Sequence, residues 1–431
     1  MKKTPLPEPT PVLPVEEEKE EKEAIEEQSK ILLFLIAGIA TASTFIGRVF
    51  TGLYAVIINS SASALSLITS LRNLIQLTFQ STFGRISDRI GRKTMMVIGL
   101  FASGIAISLF PLIQNGWVLV GGVVCFSIGY ACYYPAYTAF QGDITNRKNR
   151  AGLISSITIF GAFGSLIGLL LVGFAGNFGK TEWVQYTIIL EITAGLFIIA
   201  AIISVFLVDP PRKKLEEQIP FTFKPLIENP TFRRFVIINS FMAFSMSLGW
   251  PIFPFVRGEY ATAQQNTWIW ACFSLFQIIM LYATRKIIDR IGRKKLLFFG
   301  RLLMFYVPFN LAVTALWVQE WWHLMIAGAV SGASNAFYMV GQNSYILDCA
   351  PEKEKGTYTG LSNLFMGLTT FVGSLIMGII ADSLIIKYDK WTIIIILLFI
   401  ISSLRLTFSL GYLFLQKPRN LELEKEIENV N

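Results

Sequence analysis

Charge is scarce in this sequence. Only 15% of its 431 residues are Asp, Glu, Lys or Arg, 53% are hydrophobic, and the mean hydropathy is +0.55. A soluble chain of this length fills its core with far less apolar material, so the composition is that of a polytopic membrane protein. Histidine is almost missing: the one copy, His323, stands beside tryptophans. The four cysteines, Cys125, Cys132, Cys272 and Cys349, form no CxxC pair. These shortages argue against a disulfide framework, a zinc site and haem attachment, and no metal or cofactor is expected. No His/Cys cluster, no paired interior carboxylates and no nucleophile beside a base supply the parts of an enzyme, and no Walker-type loop implies a nucleotide. A leading apolar stretch is absent too. The chain opens on "PLPEPTPVLPVEEEKEEKEAIEEQ", so the first membrane helix is expected to target the protein and to remain in it.

What is present is a series of long apolar runs. A helix needs about 20 such residues to cross roughly 30 Å of hydrocarbon. That criterion places spans 1 to 12 near 31–56, 62–83, 94–114, 117–141, 151–175, 183–208, 234–257, 266–287, 295–317, 321–347, 357–382 and 391–414. The expected organisation is an acidic disordered tail (1–30), a six-helix bundle (31–208), a polar linker (209–233), a second six-helix bundle (234–414) and a second tail (415–431). The fold class is therefore an all-α membrane protein of twelve helices in two bundles.

The net charge is +8 although both tails are acidic, so the basic excess belongs to loops between spans. Loops after spans 2, 4, 6, 8 and 10 hold most of the Lys and Arg, which predicts cytoplasmic termini and argues against nucleic acid as the partner. The opposite loops offer little beyond Lys180, Arg257, Lys387 and Lys390. Tryptophans agree: Trp117, Trp183, Trp268, Trp270, Trp317, Trp321, Trp322 and Trp391 fall at the other, outer ends, and only Trp250 lies deeper.

The halves repeat each other. "GRISDRIGRK" at Gly84 to Lys93 returns as "DRIGRK" at Asp289 to Lys294, and the same offset carries Gln76 onto Gln277. Near the ends of spans 4 and 10, Tyr134 and Asp143 correspond to Tyr338 and Asp348. Each motif is a tight turn in which Gly91 or Gly292 reverses the chain, Gly84 permits close helix approach and the bases face anionic head groups. An acid in the middle of such a turn calls for a further partner, which the positive end of a helix in the other half can supply.

The motif resembles the signature loop between helices 2 and 3 of the major facilitator superfamily, with its weaker copy between helices 8 and 9. A "PAY...D...R.G" ending to span 4 (Pro135, Asp143, Arg150, Gly152) extends the likeness over nearly all the chain between the tails. The resemblance implies a transporter of a small solute working by alternating access as a single chain in the cell membrane. It implies a gate motif of Gly84, Asp88, Arg89, Gly91, Arg92, Lys93 and Asp143 in the first half and Asp289, Arg290, Gly292, Arg293 and Asp348 in the second. Asp88 would cap span 11 near Gly356 to Gly360 and Arg92 would reach Asp143; Asp289 would cap span 5 near Ala151 and Gly152 and Arg293 would reach Asp348. Arg285 stands where the second copy's leading glycine belongs.

Charges inside spans are costly unless paired or wet. Arg72 lies at the middle of span 2, Arg48 about four residues, or roughly 6 Å, outward of the centre of span 1, Glu191 at a similar outward depth in span 6, and Arg405 near the middle of span 12. The resemblance lets spans 1 and 2 line the cavity, so Arg48 and Arg72 become candidates to grip a carboxylate or phosphate, while Arg405 is expected to be structural. The competing arrangement pairs Arg48 with Glu191 and Arg72 with Gln76 or a carbonyl. Tyr130, Tyr134 and Tyr137 share a stripe of span 4, and Asn335, Tyr338 and Gln342 one of span 10; Gln76, Gln277 and Trp250 complete the candidate pocket. Glu191 is the candidate proton carrier. Glycines of span 5 (Gly161, Gly164, Gly168) and span 11 (Gly356, Gly360, Gly367, Gly373) suit halves that rock.

An anionic or zwitterionic solute is thus favoured. The alternative within transport is a proton-coupled exporter of drugs or amphiphiles, but that branch shows an arginine within helix 4 and a Gly-Pro pair in helix 5, whereas span 4 has no base before Arg147 and "GAFGSLIG" has no proline. Sugar porters carry "PESPR"-like and "PETKG" strings where this chain has "DPPRKK" and "LQKPRN". From another class, a non-transporting receptor or sensor with the same fold remains as an alternative.

Overall fold

Caps mark where helices begin. Ser61, Asn115, Thr181 and Asp389 each hold a backbone amide of the first turn that follows, at 3.2 Å for Ala64 and 2.8 Å for Thr392, which satisfies donors that have no intrahelical acceptor. The computed structural model describes residues 15–144, 150–208, 222–351 and 354–416, and among them no strand forms.

The first half comprises α1 (Val15–Ile57), α2 (Ala62–Ile90), α3 (Arg92–Ser108), α4 (Gly116–Asp143), α5 (Arg150–Gly176) and α6 (Glu182–Val205). A short α7 (Lys224–Glu228) leads into the second half. There, span 7 is split into α8 (Pro230–Ser247) and α9 (Phe253–Tyr260), with Gly249, Pro251 and Pro254 in or beside the break. Span 8 is α10 (Ala263–Ile291). Span 9 is α11 (Arg293–Leu302), a 3-10 turn, α12 (Tyr306–Val313) and a π turn, with Pro308 inside it. The last three are α13 (Trp321–Cys349), α14 (Lys355–Ile385) and α15 (Lys390–Leu410). α1 takes in the glutamate-rich segment from Val15 onward.

Among the described residues ten helical stretches are long and apolar enough to cross a membrane. The other two of the expected twelve fall short for visible reasons. α2 has 29 residues, about 43 Å at 1.5 Å each, but carries Arg72, Asn73 and Gln76 in its interior; span 7 is interrupted after Ser247.

Each half has its own apolar core, one running from Leu33 to Leu207 and one from Phe232 to Leu415. Each core includes one fully buried residue from the other half. Ala62, the first residue of α2, is buried in the second core, and Ala263, the first residue of α10, in the first. These positions correspond in the repeat, so the starts of α2 and α10 are exchanged between the halves by pseudo-symmetry. Both lie at the tryptophan-bearing ends. There the halves meet closely: a Cβ on Gly173 would stand 2.4 Å from Thr267, and one on Gly378 2.6 Å from the Ser66 hydroxyl. The Ser374 hydroxyl donates to the Ser66 carbonyl at 3.2 Å.

Unlike Gly173, the three span 5 glycines nearer the motif-turn ends do not face the other half. Gly161, Gly164 and Gly168 pack on Thr41, Gly38 and Ala42 of α1, so close that a Cβ on Gly164 would lie 2.4 Å from the Gly38 carbonyl. They weld α1 to α5 inside one half. In α14, Gly373 packs on α8 within its half, while Gly367 and Gly378 meet α2 across the divide.

Candidate functional site

A cavity of about 300 Å³ opens between α1, α4 and α5. Its walls include Thr41, Thr44, Phe45 and Arg48 from α1, Tyr130, Tyr133, Tyr134, Tyr137, Thr138 and Gln141 from α4, and Thr158 from α5. The tyrosines follow from helical spacing: positions four apart stack, Tyr130 on Tyr134 at 5.6 Å and Tyr133 on Tyr137 at 5.3 Å between ring centres. None of the lining residues is acidic.

Arg48 is the one charge on these walls. Its Nη2 donates to Gln76 Oε1 at 2.5 Å and its guanidinium carbon lies 5.5 Å from the Tyr130 ring centre. Arg72 is buried, outside the cavity lining, and its Nη1 lies 3.4 Å from the Arg48 carbonyl. Neither guanidinium has a carboxylate partner among the described residues, and Nε of both, with Nε2 of Gln76, is buried without a hydrogen bond. Of the competing arrangement, Arg72 does meet a backbone carbonyl, but Arg48 does not meet Glu191. Arg48, not Arg72, takes Gln76, and Glu191 is exposed on α6 outside the cavity lining.

The second-half candidates scatter. Gln277 and Asn335 both point amide nitrogens at Met339 Sδ, each at 3.6 Å. Tyr338 turns away into the second core, where its hydroxyl donates to Asn239 at 3.0 Å and its ring lies under Arg301. Gln342 is buried with its Oε1 unpartnered, and Trp250 is half-buried in the break of span 7. Tyr133, Thr41, Thr44 and Gln141 line the cavity without having stood out in the sequence, although Tyr133 shares the i, i+4 signal with Tyr137.

At the opposite ends of the helices from the tryptophans lie the two motif turns. Gly91 has φ 120° and ψ 142°, and Gly292 has φ 82°, values that L side chains rarely adopt. Arg92, the next residue, pairs with Asp88, with Asp143 at 3.2 Å and with the Ser87 hydroxyl at 2.7 Å. In the second copy Arg293 pairs with Asp348 at 2.5 Å. Each arginine ties the start of the third span of its half to the end of the fourth. Gly84 is not tightly packed: a Cβ there would meet Pro135 at 3.8 Å, ordinary contact. Arg89 and Arg290 are exposed. The side chains of Asp289, Ala151 and Gly152, with residues 145–149, 209–221, 352–353 and the tails 1–14 and 417–431, lie outside the described residues.

Two helical halves joined as a repeat, packed together at one end and holding a polar cavity among apolar spans, have the layout of an integral membrane transporter. The chain belongs to the major facilitator superfamily, whose family model matches residues 32–248 and again 235–429. Curated relatives include multidrug resistance protein MdtH of Proteus mirabilis (strain HI4320), 24% identical over 57% of this chain and 60% of that protein. Another is multidrug resistance protein 2 of Bacillus subtilis (strain 168), 27% identical over 43% of this chain and 46% of that one. The matches thus span about half of those relatives' length. Among solved structures, the nucleoside transporter NupG superposes with a TM-score of 0.70 at 13% identity, covering 90% of this chain and 98% of that one. A bacterial homolog of the human lysosomal transporter Spinster gives 0.69 at 14%, covering 90% and 96%; these likenesses speak for the fold.

Proposed function

We propose that the chain carries a small organic anion across the cell membrane by alternating access, as a single chain with both termini cytoplasmic. The observation behind this reading is Arg48, half-buried on the wall of a cavity that has four tyrosines and no acid. Two guanidinium groups held near each other without a carboxylate repel in a low-dielectric setting, and an incoming anion relieves that cost. The threonine and tyrosine hydroxyls on the walls supply further donors for carboxylate or phosphate oxygens. Orientation rests on the basic loops and the tryptophans at opposite ends.

The relatives' names favour a second reading, export of drugs. The tyrosine ladder suits aromatic solutes in either case, but a cavity whose one charge is a guanidinium disfavours cations. The test is thermal stability of the purified protein against benzoate, a phosphate monoester, a sugar and a quaternary ammonium drug, with Arg48→Gln beside the wild type. A ligand of the folded state raises the transition temperature. Anions are expected to stabilise the wild type, and Arg48→Gln to weaken their binding about tenfold to a hundredfold, as for loss of a charged hydrogen bond. Stabilisation by the drug alone, equal in both proteins, would transfer the chain to the exporter reading.

A further inference from the structure

Thr158 of α5 lines two cavities. Besides the tyrosine cavity, it borders a second space of about 550 Å³ between α5, α10 and α13. The walls of this slot are mainly apolar, with Phe163 from α5, Ile278, Ile279 and Leu281 from α10, and Met339 and Val340 from α13. Phe163 is 47% exposed and Ile279 50%. It lies toward the motif-turn ends, away from the ends where the halves are closed.

Resting on the anion reading above, we infer that the transported solute is an amphiphile: an anionic head on Arg48 and an apolar chain along the slot. Charge complementarity fixes the head, because the two cavities together offer one cation and no acid. Volume fixes the proportion. The apolar space is the larger of the two, so a ligand that fills both has more tail than head. Burying methylenes against Ile279, Phe163 and Met339 removes apolar surface of ligand and protein from water at once.

The experiment uses the full-length protein in lipid nanodiscs and a series of ω-phenylalkanoates of increasing chain length, with the matching amines and alcohols, all below their micellar concentrations. For the wild type, affinity of the carboxylates is expected to rise about fourfold per added methylene until the slot is filled, then level off. Arg48→Gln should erase the preference for carboxylate over alcohol at every length. Ile279→Asn should flatten the chain-length dependence of the carboxylates. If benzoate binds through Arg48 and the wild type shows no chain-length dependence, the slot inference fails and the anion reading survives. If amines and alcohols bind as well as carboxylates at every length, the anion reading fails with it. The wild-type series decides the matter even where the Ile279 variant does not fold.

Discussion

Pro308 and Arg405 compensate each other across two helices. Proline has no N–H to give the carbonyl four residues back, that of Met304; Arg405 of α15, 1% exposed, donates Nη1 to that carbonyl at 3.2 Å. Its Nη2 donates at 2.7 Å to the carbonyl of Met246, the penultimate residue of α8, where span 7 breaks. One buried guanidinium thus repairs both irregular spans of the second half. Arg405→Met should therefore lower the melting temperature, since each orphaned buried carbonyl costs about 1–3 kcal/mol. In the double variant with Pro308→Ala, the restored amide serves Met304 again, so the loss should be smaller than the sum of the single losses by about 1 kcal/mol. Strict additivity in the thermal scans would mean that the two residues are not coupled.

The two glycines that frame the first motif should behave differently. Gly91 sits at φ 120°, where a side chain is strained by about 1–3 kcal/mol, whereas Gly84 has room for a Cβ. Gly91→Ala is expected to lose folded protein and transport, and Gly84→Ala to keep both. Size-exclusion profiles and uptake into proteoliposomes measure this, and equal tolerance of the two changes would contradict the backbone argument.

Much of this architecture was legible in the sequence because hydrocarbon leaves few choices: apolar runs become helices, and an offset repeat becomes two halves. The turn glycines were legible because the motif is local, whereas Asp143 and Asp348, the partners of Arg92 and Arg293, lie at the far end of the following span and followed only from the family resemblance. The cavity was only partly so. Tyr130 and Tyr134 follow from spacing along one helix, but the choice between Arg48 and Arg72 depends on how α1 and α2 are rotated against each other, which no periodicity in either helix specifies. Likewise Tyr338 matches Tyr134 in the repeat yet faces Asn239, because the second core offers a buried amide acceptor there. The glycines of α5 read as a contact stripe but carry no mark of which neighbour they contact.

Glu191 has no access to the cavity through its side chain, being exposed on α6. Glu191→Gln should leave the rate of anion flux unchanged, both with and without an imposed proton gradient. A variant that lost gradient-driven accumulation while keeping exchange would restore this carboxylate as the proton carrier.

Asp382 of α14 places Oδ1 2.7 Å from the amide of Ala62 and Oδ2 2.9 Å from that of Ser63, across the two halves at the tryptophan ends. With Ser61 Oγ on the Ala64 amide, three donors of the first turn of α2 are satisfied, and the negative charge faces the positive end of the helix. Opening on this side has to break both bonds. Asp382→Ala should therefore shift the closed-to-open balance toward open by about tenfold, near 1.4 kcal/mol, and Asp382→Asn, which keeps one acceptor, by less. Electron–electron spin distances between labels at Asn59→Cys and Tyr388→Cys, both exposed beside the contact, measure it. The parent should give a short, single distance, and Asp382→Ala a second, longer population. Identical distributions in all three proteins would show that packing of Gly378 on Ser66, and not the carboxylate, holds this side shut.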